Sequence, residues 1–413
     1  MRKRIFFNSE KGKMRSFYIK DNVCTPYKLI LNRINNYLMA NDMVPTTNQS
    51  EADVVIIGTC GAFKSLEDEA VGFIEAARTG MKSGAELVVF GCLPGINMKR
   101  IRPFSPNRVI PSFNWTDVKA LIEDPAVPLK DIPEATGFRG KEDHRLYDPG
   151  KQFILLQTGC SSDCPFCPHK LGIGNLKSVP PESIFYQIRN LEKKVHTICL
   201  AGNDTGSYGT DIGTTYPELL KKIIGEFDFQ IHLSQINADW VHVYRDELWP
   251  LLMDKKVREF QVLIQSTSNR VLALMDRKPV VTGLKPYFKK LRVSRRDLIL
   301  RTDLIIGYPT ATEQEDLSSV EFVAEIFDEV AVHGFERVKH ARIEKMGLPF
   351  YSAAQIDERV EKVMGYLRRF PHILAHRGGQ VIRTLEAIEK PKNELRKRLN
   401  AGFTCKDRGQ DAE

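Results

Sequence analysis

The chain has 413 residues, of which 42% are hydrophobic and 27% are charged, so it is long enough for two or three globular domains. The basic start at residues 1–4 is not followed by an apolar segment, and no apolar run is long enough to cross a bilayer. We therefore expect a cytoplasmic protein with no membrane partner. The formal net charge of +8 allows an anionic partner such as RNA, and it fits an ordinary basic surface equally well.

Residues 1–123 alternate strand patterns with helix patterns. Two short apolar runs, 53–57 and 86–90, are each followed by glycine, cysteine and then a helical or turn pattern. This order predicts a small parallel α/β domain. We expect one helix over 26–38 and a second that opens at Ser65, with the serine as the N-cap and acids in the first turn.

Three cysteines of this domain lie on separate loops. Cys60 and Cys92 follow the two predicted strands, and Cys24 precedes the first predicted helix. Ligands usually bind at the carboxyl edge of a parallel sheet, so the three thiols could converge on one metal site. Three independent free thiols remain the alternative. In a chain without an export signal, metal ligands or free thiols are more plausible than disulfides.

The segment 124–150 is rich in proline, glycine and charge, which predicts a linker. Strand and helix patterns then repeat through 151–376, and they predict an α/β fold of six strand–helix units, a partial TIM-like barrel. A short C-terminal tail, 377–413, follows, with a possible strand at 381–385 and a charged helix or loose end at 390–398. The six predicted strands are 153–157, 195–200, 230–235, 259–265, 298–306 and 336–343.

A loop after the first of these strands carries Cys160, Cys164 and Cys167. Spacings of three and two residues allow one short loop to hold three corners of an iron–sulfur cubane, with the fourth iron left open for a small molecule. A structural zinc site that includes His169 is a less favoured alternative, because zinc sites usually draw ligand pairs from separate segments. Cys199 is predicted to be a core residue and Cys405 a free thiol of the tail.

The CxxxCxxC loop resembles the cluster motif of radical S-adenosylmethionine enzymes. Further stretches resemble the methylthiotransferase family within that group: 200–213, 265–277, 303–313, and the two N-terminal motifs Gly58-Thr59-Cys60 and Gly91-Cys92-Leu93. Gly58 stands where the family has asparagine, and the surroundings of Cys24 depart from the family pattern. These matches keep their order and span most of the chain.

The resemblance implies an enzyme that converts a C–H bond to C–S–CH3 with S-adenosylmethionine and two [4Fe–4S] clusters. One cluster would be held by Cys160, Cys164 and Cys167, and the other by Cys24, Cys60 and Cys92. Six residues at the ends of the barrel strands are candidates for cofactor binding, although ordinary loop contacts would explain them equally well: Gly202, Asn203, Asp204, Ser234, Gln265 and Gly307.

The segments 176–182 and 208–220 most resemble the branch of the family that acts on threonylcarbamoyl-adenosine in tRNA. Members usually end in a small β-barrel, the TRAM domain, and the residues after 377 lack its alternating strands, so a peptide acceptor is a serious rival. We also expect a low-potential electron donor of the flavodoxin or ferredoxin type. A radical enzyme with a different outcome and a non-catalytic iron–sulfur module remain alternatives.

Overall fold

The structure is a computed structural model that describes residues 14–112, 115–133 and 150–378. The chain divides into two compact units, Met1–Pro133 and Glu134–Glu413. In the described part, no helix is both long enough and apolar enough to cross a membrane.

The first unit is built on a five-stranded parallel sheet in the order β2-β1-β3-β4-β5. Its strands are β1 (Ser16–Asp21), β2 (Val44–Pro45), β3 (Val54–Thr59), β4 (Glu86–Gly91) and β5 (Arg108–Pro111). Its helices are α1 (Thr25–Ala40), α2 (Lys64–Gly80), α3 (Leu93–Asn97) and α4 (Trp115–Lys119), with single 3₁₀ turns at Met98–Arg100, Arg102–Phe104 and Leu129–Asp131.

Both apolar runs of this unit form interior strands of the sheet. A strand that is covered on both faces needs apolar residues at successive positions, which explains the continuous runs. All six residues of β3 are buried. The predicted N-cap of α2, Ser65, was wrong by two residues: the helix begins at Lys64, and its N-cap is Phe63, which makes no side-chain capping hydrogen bond. Glu67 still lies in the first turn, where an acid favours the helix dipole.

Residues 124–133, predicted as part of a linker, pack on α1 instead. The Arg33 guanidinium donates hydrogen bonds to the carbonyl oxygens of Ile132 at 3.0 Å and Leu129 at 3.3 Å. The side-chain amide of Asn41 donates to the carbonyl oxygen of Val127 at 3.0 Å. Apolar side chains are spaced through this proline-rich stretch and anchor it, as the burial of Leu129 and Ile132 shows.

The second unit contains a seven-stranded parallel sheet in the order β14-β13-β12-β11-β10-β9-β6, together with the antiparallel pair β7 and β8. Its strands are β6 (Lys151–Leu155), β7 (Gln157–Thr158), β8 (Lys177–Ser178), β9 (Thr197–Ala201), β10 (Gln230–Asn237), β11 (Val257–Gln265), β12 (Ile299–Ile306), β13 (Glu329–Gly334) and β14 (Leu374–Arg377). Its helices are α5 (His169–Ile173), α6 (Pro181–Arg189), α7 (Tyr216–Glu226), α8 (Ala238–Val243), α9 (Arg245–Met253), α10 (Asn269–Leu274), α11 (Lys285–Ser294), α12 (Glu313–Ile326) and α13 (Ala353–Leu367), with 3₁₀ turns at Thr205–Ser207, Thr282–Leu284 and Arg342–Lys345.

The two faces of this sheet differ in polarity. Along β11, Phe260 and Val262 belong to the hydrophobic core. Side chains alternate between the two faces of a strand, so those of Glu259 and Gln261 lie on the opposite face of the sheet. Neighbouring strands continue the polar face with an ion pair between Arg301 and Glu329 at 2.8 Å and a hydrogen bond between His333 Nε2 and Asp303 Oδ1 at 3.0 Å. The predicted α/β class with parallel strands and helical connections is confirmed.

The sixth predicted strand, 336–343, was wrong. The strand lies earlier, at β13, and residues 336–343 form a loop that enters the 3₁₀ turn at Arg342. Val338, Ala341 and Ile343 are buried at roughly alternate positions of the loop and so imitate a strand pattern. A seventh strand, β14, was not predicted; it pairs in parallel with β13. The predictions for 381–385, 390–398 and Cys405 lie outside the described residues.

Candidate functional site

The cysteine loop leaves the sheet through the short hairpin of β7 and β8. Gln157 pairs with Ser178, and Thr158 pairs with Lys177. Gly159 follows with φ of +73°, and a Cβ there would lie 1.9 Å from the carbonyl oxygen of Asn175. Only glycine fits this position, so the geometry of the hairpin fixes where the cysteine loop begins.

The three thiols of the loop lie close enough to influence one another. Burial, the nearby Asp204 carboxylate and the thiols of Cys167 and Cys164 together raise the pKa of Cys160 to about 11. The backbone N–H of Ser162 donates a hydrogen bond to the Cys160 sulfur at 3.3 Å. Backbone N–H groups that point at sulfur are typical of iron–sulfur cluster loops, where they stabilise thiolate ligands.

Contacts from distant segments hold this loop in place. Lys170 Nζ donates to the carbonyl oxygen of Cys160 at 2.5 Å, and Arg342 Nη2 donates to that of Asp163 at 2.7 Å. The Phe166 ring meets the Tyr308 ring edge-on with a centroid distance of 5.9 Å. These contacts fix the shape of the loop.

Arg277 is a site residue that the sequence analysis did not single out. Burial raises the pKa of the Cys164 thiol, and the nearby Arg277 guanidinium opposes this effect. The same side chain donates through Nη1 to Asn237 Oδ1 at 2.9 Å and to the carbonyl oxygen of Leu263 at 3.1 Å. It lies in a loop after α10, at the end of the stretch 265–277, to which the sequence analysis assigned a resemblance but no role for Arg277.

Buried amide oxygens collect near the carboxyl ends of the strands. Within the described residues, the side-chain oxygens of Gln157, Asn203 and Gln265 are buried and accept no hydrogen bond. Gln265 ends β11 at a register shift with φ of +66°, and Gln235 on β10 has φ of +57°. A buried polar atom without a partner is costly, so these oxygens fit a polar ligand at this edge.

The other predicted cofactor residues have protein partners. Asp204 accepts hydrogen bonds from the Asn237 N–H at 3.2 Å and the Trp240 indole N–H at 3.0 Å, and burial raises its pKa to about 6. The Ser234 hydroxyl donates to the carbonyl oxygen of Leu200 at 2.7 Å. Asp204 and Ser234 thus tie neighbouring strands together at the site.

The two predicted glycines serve close packing and a turn. A Cβ on Gly202 would lie 2.8 Å from Cγ of Gln157. Gly307 has φ of +71°, and its N–H donates to Asp316 Oδ2 at 3.2 Å. Gly202 therefore adjoins one of the unpartnered amides, while Gly307 shapes the turn that follows β12.

The cysteines of the first unit gather at one edge of its sheet. Cys60 and Cys92 directly follow the paired strands β3 and β4, and the Cys92 N–H donates to the carbonyl oxygen of Thr59 at 2.9 Å. Burial raises the pKa of Cys24 to about 12, and the adjacent thiol of Cys60 adds to the effect. The Cys92 sulfur lies 4.0 Å from the hydroxyl oxygen of Ser112.

Two small residues and an asparagine shape this second site. Gly91 has φ of +125°, and a Cβ there would lie 2.3 Å from the carbonyl oxygen of Thr59. A Cβ on Gly58 would lie 2.6 Å from Cβ of Asp21, so the glycine at this position is a packing requirement. Asn22 Oδ1 accepts the hydrogen bond of the Cys60 N–H at 2.9 Å.

Both cysteine sets suit clusters better than a single ion. No group of three or more His, Cys, Asp or Glu side chains in the described ranges is placed to hold one metal ion. The corners of an iron–sulfur cubane lie farther apart than the ligands of one tetrahedral zinc, and thiolates are soft ligands that suit iron and sulfide. The chemistry of thiol donors in both units is therefore compatible with iron–sulfur ligation.

The parallel sheet, its polar carboxyl edge and the three-cysteine loop define a radical S-adenosylmethionine enzyme. Residues 154–323 match the Radical SAM superfamily, and residues 18–110 match the Uncharacterized protein family UPF0004. Among solved structures, the apo, selenomethionine-labelled cobalamin-dependent S-adenosylmethionine radical enzyme OxsB has a TM-score of 0.52 at 11% identity, over 94% of this chain and 61% of that chain. At this identity the likeness is one of fold.

Curated relatives narrow the class further. The ribosomal protein uS12 methylthiotransferase RimO of Thermosipho melanesiensis is 30% identical over 310 residues, which cover 70% of this chain and 67% of the relative. A probable threonylcarbamoyladenosine tRNA methylthiotransferase of Pyrococcus horikoshii is 29% identical over 303 residues, which cover 70% of this chain and 69% of the relative. The chain belongs to the radical S-adenosylmethionine methylthiotransferase family.

The predicted enzyme class is thereby confirmed: the protein is a radical methylthiotransferase. The predicted cofactors, S-adenosylmethionine and two [4Fe–4S] clusters, are those of the family and are confirmed with it. The matched region spans about two thirds of the length of each of these two relatives. The assignment of individual residues to the cofactors stays a prediction.

Proposed function

We propose that this protein adds a methylthio group to an adenosine of tRNA. In this proposal Cys160, Cys164 and Cys167 hold the cluster that binds S-adenosylmethionine, and a second cluster is held by Cys24, Cys60 and Cys92. The proximity of Cys160 to Cys164 and Cys167, and of Cys24 to Cys60, supports this division, and Cys92 is added because it follows the strand next to that of Cys60.

Bound at these sites, the cofactors would supply an electron that cleaves S-adenosylmethionine, a radical that removes hydrogen from an unactivated C–H bond, and the sulfur that replaces it. The protein's own residues bind and orient. The side-chain oxygens of Gln265 and Asn203 are placed to accept hydrogen bonds from the amino or hydroxyl groups of S-adenosylmethionine, because they are buried and unpartnered among the described residues.

The observation that favours tRNA is a basic surface beside the cysteine loop. Lys339, His340, Arg342 and Lys345 are exposed on the segment that follows β13. Arg342 contacts Asp163 of the cysteine loop, so the segment adjoins the place where an acceptor must arrive. Lysine and arginine side chains attract the phosphates of a nucleic acid, and a net charge of +8 supports the same partner.

A side chain of a ribosomal protein is the second candidate acceptor. The relatives named RimO, of which one is 30% identical, favour it. A peptide acceptor needs fewer phosphate contacts, so it would depend less on the basic segment and less on salt.

One experiment compares the two acceptors in the same cells. The chain is expressed in a host that lacks its own tRNA and ribosomal-protein methylthiotransferases, and mass spectrometry searches tRNA nucleosides and ribosomal peptides for the added CH2S group. We expect the modification in tRNA. Modification of a ribosomal peptide alone would replace the tRNA proposal with the second candidate.

Charge variants then test the surface. Lys339→Glu with Lys345→Glu should reduce tRNA modification at least tenfold and leave the iron content unchanged, since opposite charge would repel phosphate. Lys221→Glu with Lys222→Glu, on the exposed side of α7, changes the net charge equally and should retain modification. Equal modification by both variants would remove the basic segment from the proposal.

The cellular location of the reaction follows from the tRNA acceptor, and the electron source follows from the chemistry. We place the reaction in the cytoplasm, where tRNA is modified. We assign reduction of the clusters to a small carrier of the flavodoxin or ferredoxin type, because cleavage of S-adenosylmethionine needs a low-potential electron.

A further inference from the structure

The polar face of the sheet in the second unit contains a cavity of about 160 Å³. Its walls come from β11, β12, β13 and β14, and they include Arg301 and Arg377. We infer that this cavity is a binding site for a carboxylate group of the acceptor, held by Arg301 and Arg377. The inference rests on the proposed tRNA acceptor, and it gives a role to residues outside the six predicted cofactor residues.

The walls of the cavity present buried polar atoms that lack a partner. Nε of Arg301, Nε of Arg377 and Nδ1 of His376 are buried and make no hydrogen bond within the part of the chain that the structure describes. A guanidinium N–H can only donate, so both arginines need an acceptor atom. A carboxylate is the acceptor that arginine binds most strongly, because the hydrogen bonds are charge-assisted.

The acids of the cavity walls already contact cationic or N–H groups. Glu329 Oε1 lies 2.8 Å from Nη2 of Arg301. Asp303 Oδ1 lies 3.0 Å from Nε2 of His333, and Gln261 Nε2 donates to Asp303 Oδ2 at 2.7 Å. These acids therefore fix the positions of the side chains around them, and the two guanidinium Nε–H groups are left for a ligand.

Arg377 brings positive charge whose partners are not part of the cavity walls. Its Nη2 lies 3.3 Å from Asp357 Oδ1 and 3.2 Å from Glu361 Oε1, and both acids are on α13 with their side chains more than half exposed. Water screens exposed ion pairs, so they neutralise a charge only weakly. The positive charge of Arg377 therefore favours an anion in the cavity.

The cavity adjoins the edge at which the cofactors are proposed to bind. Gln261 of the wall accepts, through Oε1, a hydrogen bond from the backbone N–H of Gln235 at 3.3 Å. Gln235 lies near the carboxyl end of β10. The volume of about 160 Å³ is several times the roughly 30 Å³ that a water molecule occupies in the liquid, so a carboxylate on a short chain fits.

This site restricts which adenosine can be the acceptor. Plain adenosine carries no carboxylate, so the accepted nucleoside must already bear an acidic substituent that an earlier modification attached. Arg301 and Arg377 then distinguish the substituted nucleoside from plain adenosine by hydrogen bonds that only the substituted one can accept.

The test measures RNA binding by the reconstituted full-length protein and does not depend on turnover. Fluorescence anisotropy compares synthetic RNA stem–loops in which N6 of one adenosine carries an amino acid through a carbamoyl linkage, the same group with its carboxylate converted to a carboxamide, or no substituent. Wild type should bind the carboxylate form about tenfold more tightly than the carboxamide form, because charge-assisted hydrogen bonds are the stronger ones.

Variants then assign this preference to the cavity. Arg377→Gln should remove it, and Arg301→Lys should weaken it, because lysine keeps the charge beside Glu329 but lacks the Nε–H group. Asp357→Asn is the matched control, since it removes an exposed partner of Arg377 and leaves the guanidinium in place. Circular dichroism checks that each variant folds, and if one arginine variant does not fold, the other decides.

Equal affinity of wild type for the carboxylate and carboxamide forms would overturn the inference. A preference that survives unchanged in the arginine variants would overturn it too, as would binding of the free carbamoyl amino acid without any preference among the RNAs. Failure of the proposed function would differ: tRNA in the expression host would stay unmodified, and all the stem–loops would bind equally weakly to wild type and variants.

Discussion

The backbone N–H of Ile343 donates a hydrogen bond to the carbonyl oxygen of Pro165 at 2.8 Å. This bond joins the 3₁₀ turn after β13 to the middle of the cysteine loop. Together with the contact between Arg342 and Asp163, it places the connection between β13 and α13 against the loop that follows β7. The loop is thus shaped by both ends of the repeat.

The iron content should separate the two cysteine sets. Anaerobic reconstitution should load about eight irons per chain, and Cys60→Ala should lower this to about four, because each [4Fe–4S] cluster carries four. Cys199→Ala is the matched control, since Cys199 is buried within β9 and should leave the content unchanged. Equal iron in wild type and Cys60→Ala would contradict a cluster at that residue.

Gln265→Leu should weaken the binding of S-adenosylmethionine to the reconstituted protein about tenfold, which corresponds to about 1.4 kcal/mol. The physical reason is the loss of an amide oxygen that is buried and unpartnered in the described part of the chain. Equilibrium dialysis measures the affinity. Gln187→Leu is the control, because Gln187 is a buried glutamine of α6 whose amide oxygen also has no partner among the residues that the structure describes. The same loss of affinity in both variants would exclude a direct role for Gln265.

Glu315 should make the second unit sensitive to acid. Partial burial opposes its ionisation, but hydrogen bonds from Arg270, Ser268 and the Thr312 N–H outweigh this and lower its pKa to about 2. Because the pKa of Glu315 is lower in the folded protein than its ordinary value of 4.5, ionisation of this carboxyl stabilises the fold. This stabilisation is present above about pH 4.5 and is lost as the pH falls toward 2. We expect this contribution to be roughly 1–2 kcal/mol.

The test is urea unfolding at pH 7 and pH 3. Glu315→Gln should be less stable than wild type at pH 7 and should lose less stability on acidification. Glu358→Gln changes an exposed acid of α13 and should follow wild type within about 0.5 kcal/mol at both pH values. If Glu315→Gln lost as much stability between pH 7 and pH 3 as wild type does, the ion pair with Arg270 would not stabilise the fold.

Gly91→Ala should destabilise the first unit by more than about 3 kcal/mol, because the new Cβ would meet the main chain of Thr59 and the backbone has φ of +125°. Gly72→Ala is the control: it lies in α2 with no atom within 4 Å of the added Cβ, and it should stabilise by up to about 1 kcal/mol. Thermal unfolding followed by circular dichroism checks both. A small loss of stability in Gly91→Ala would mean that the backbone at the carboxyl end of β4, next to Cys92, can rearrange.

Much of the site could be predicted because its key residues are local in sequence. Cys160, Cys164 and Cys167 share one loop, and apolar runs show where the strands before Cys60 and Cys92 end. The carboxyl edge of a parallel sheet then brings such loops together without further information. This physical rule accounts for the placement of the first unit's three cysteines at one edge.

The remaining parts depend on contacts between distant segments. Arg342 meets Asp163 across 179 positions of the chain, and Arg277, in a loop after α10, lies near Cys164. No periodicity or spacing marks either arginine. The false strand at 336–343 has the same cause, because Val338 and Ile343 are buried by packing onto the sheet and not by strand pairing.

The left-handed backbone of Gln265 means that stability of the fold and affinity for the cofactor favour different residues at this position. An L-residue with φ of +66° carries strain of about 1 kcal/mol or more, which glycine would relieve. Gln265→Gly should therefore raise the melting temperature of the unit while it removes the amide proposed to hold the cofactor. Selection for heat resistance alone would drive glutamine out of this position, so its retention would mark a protein under pressure to bind.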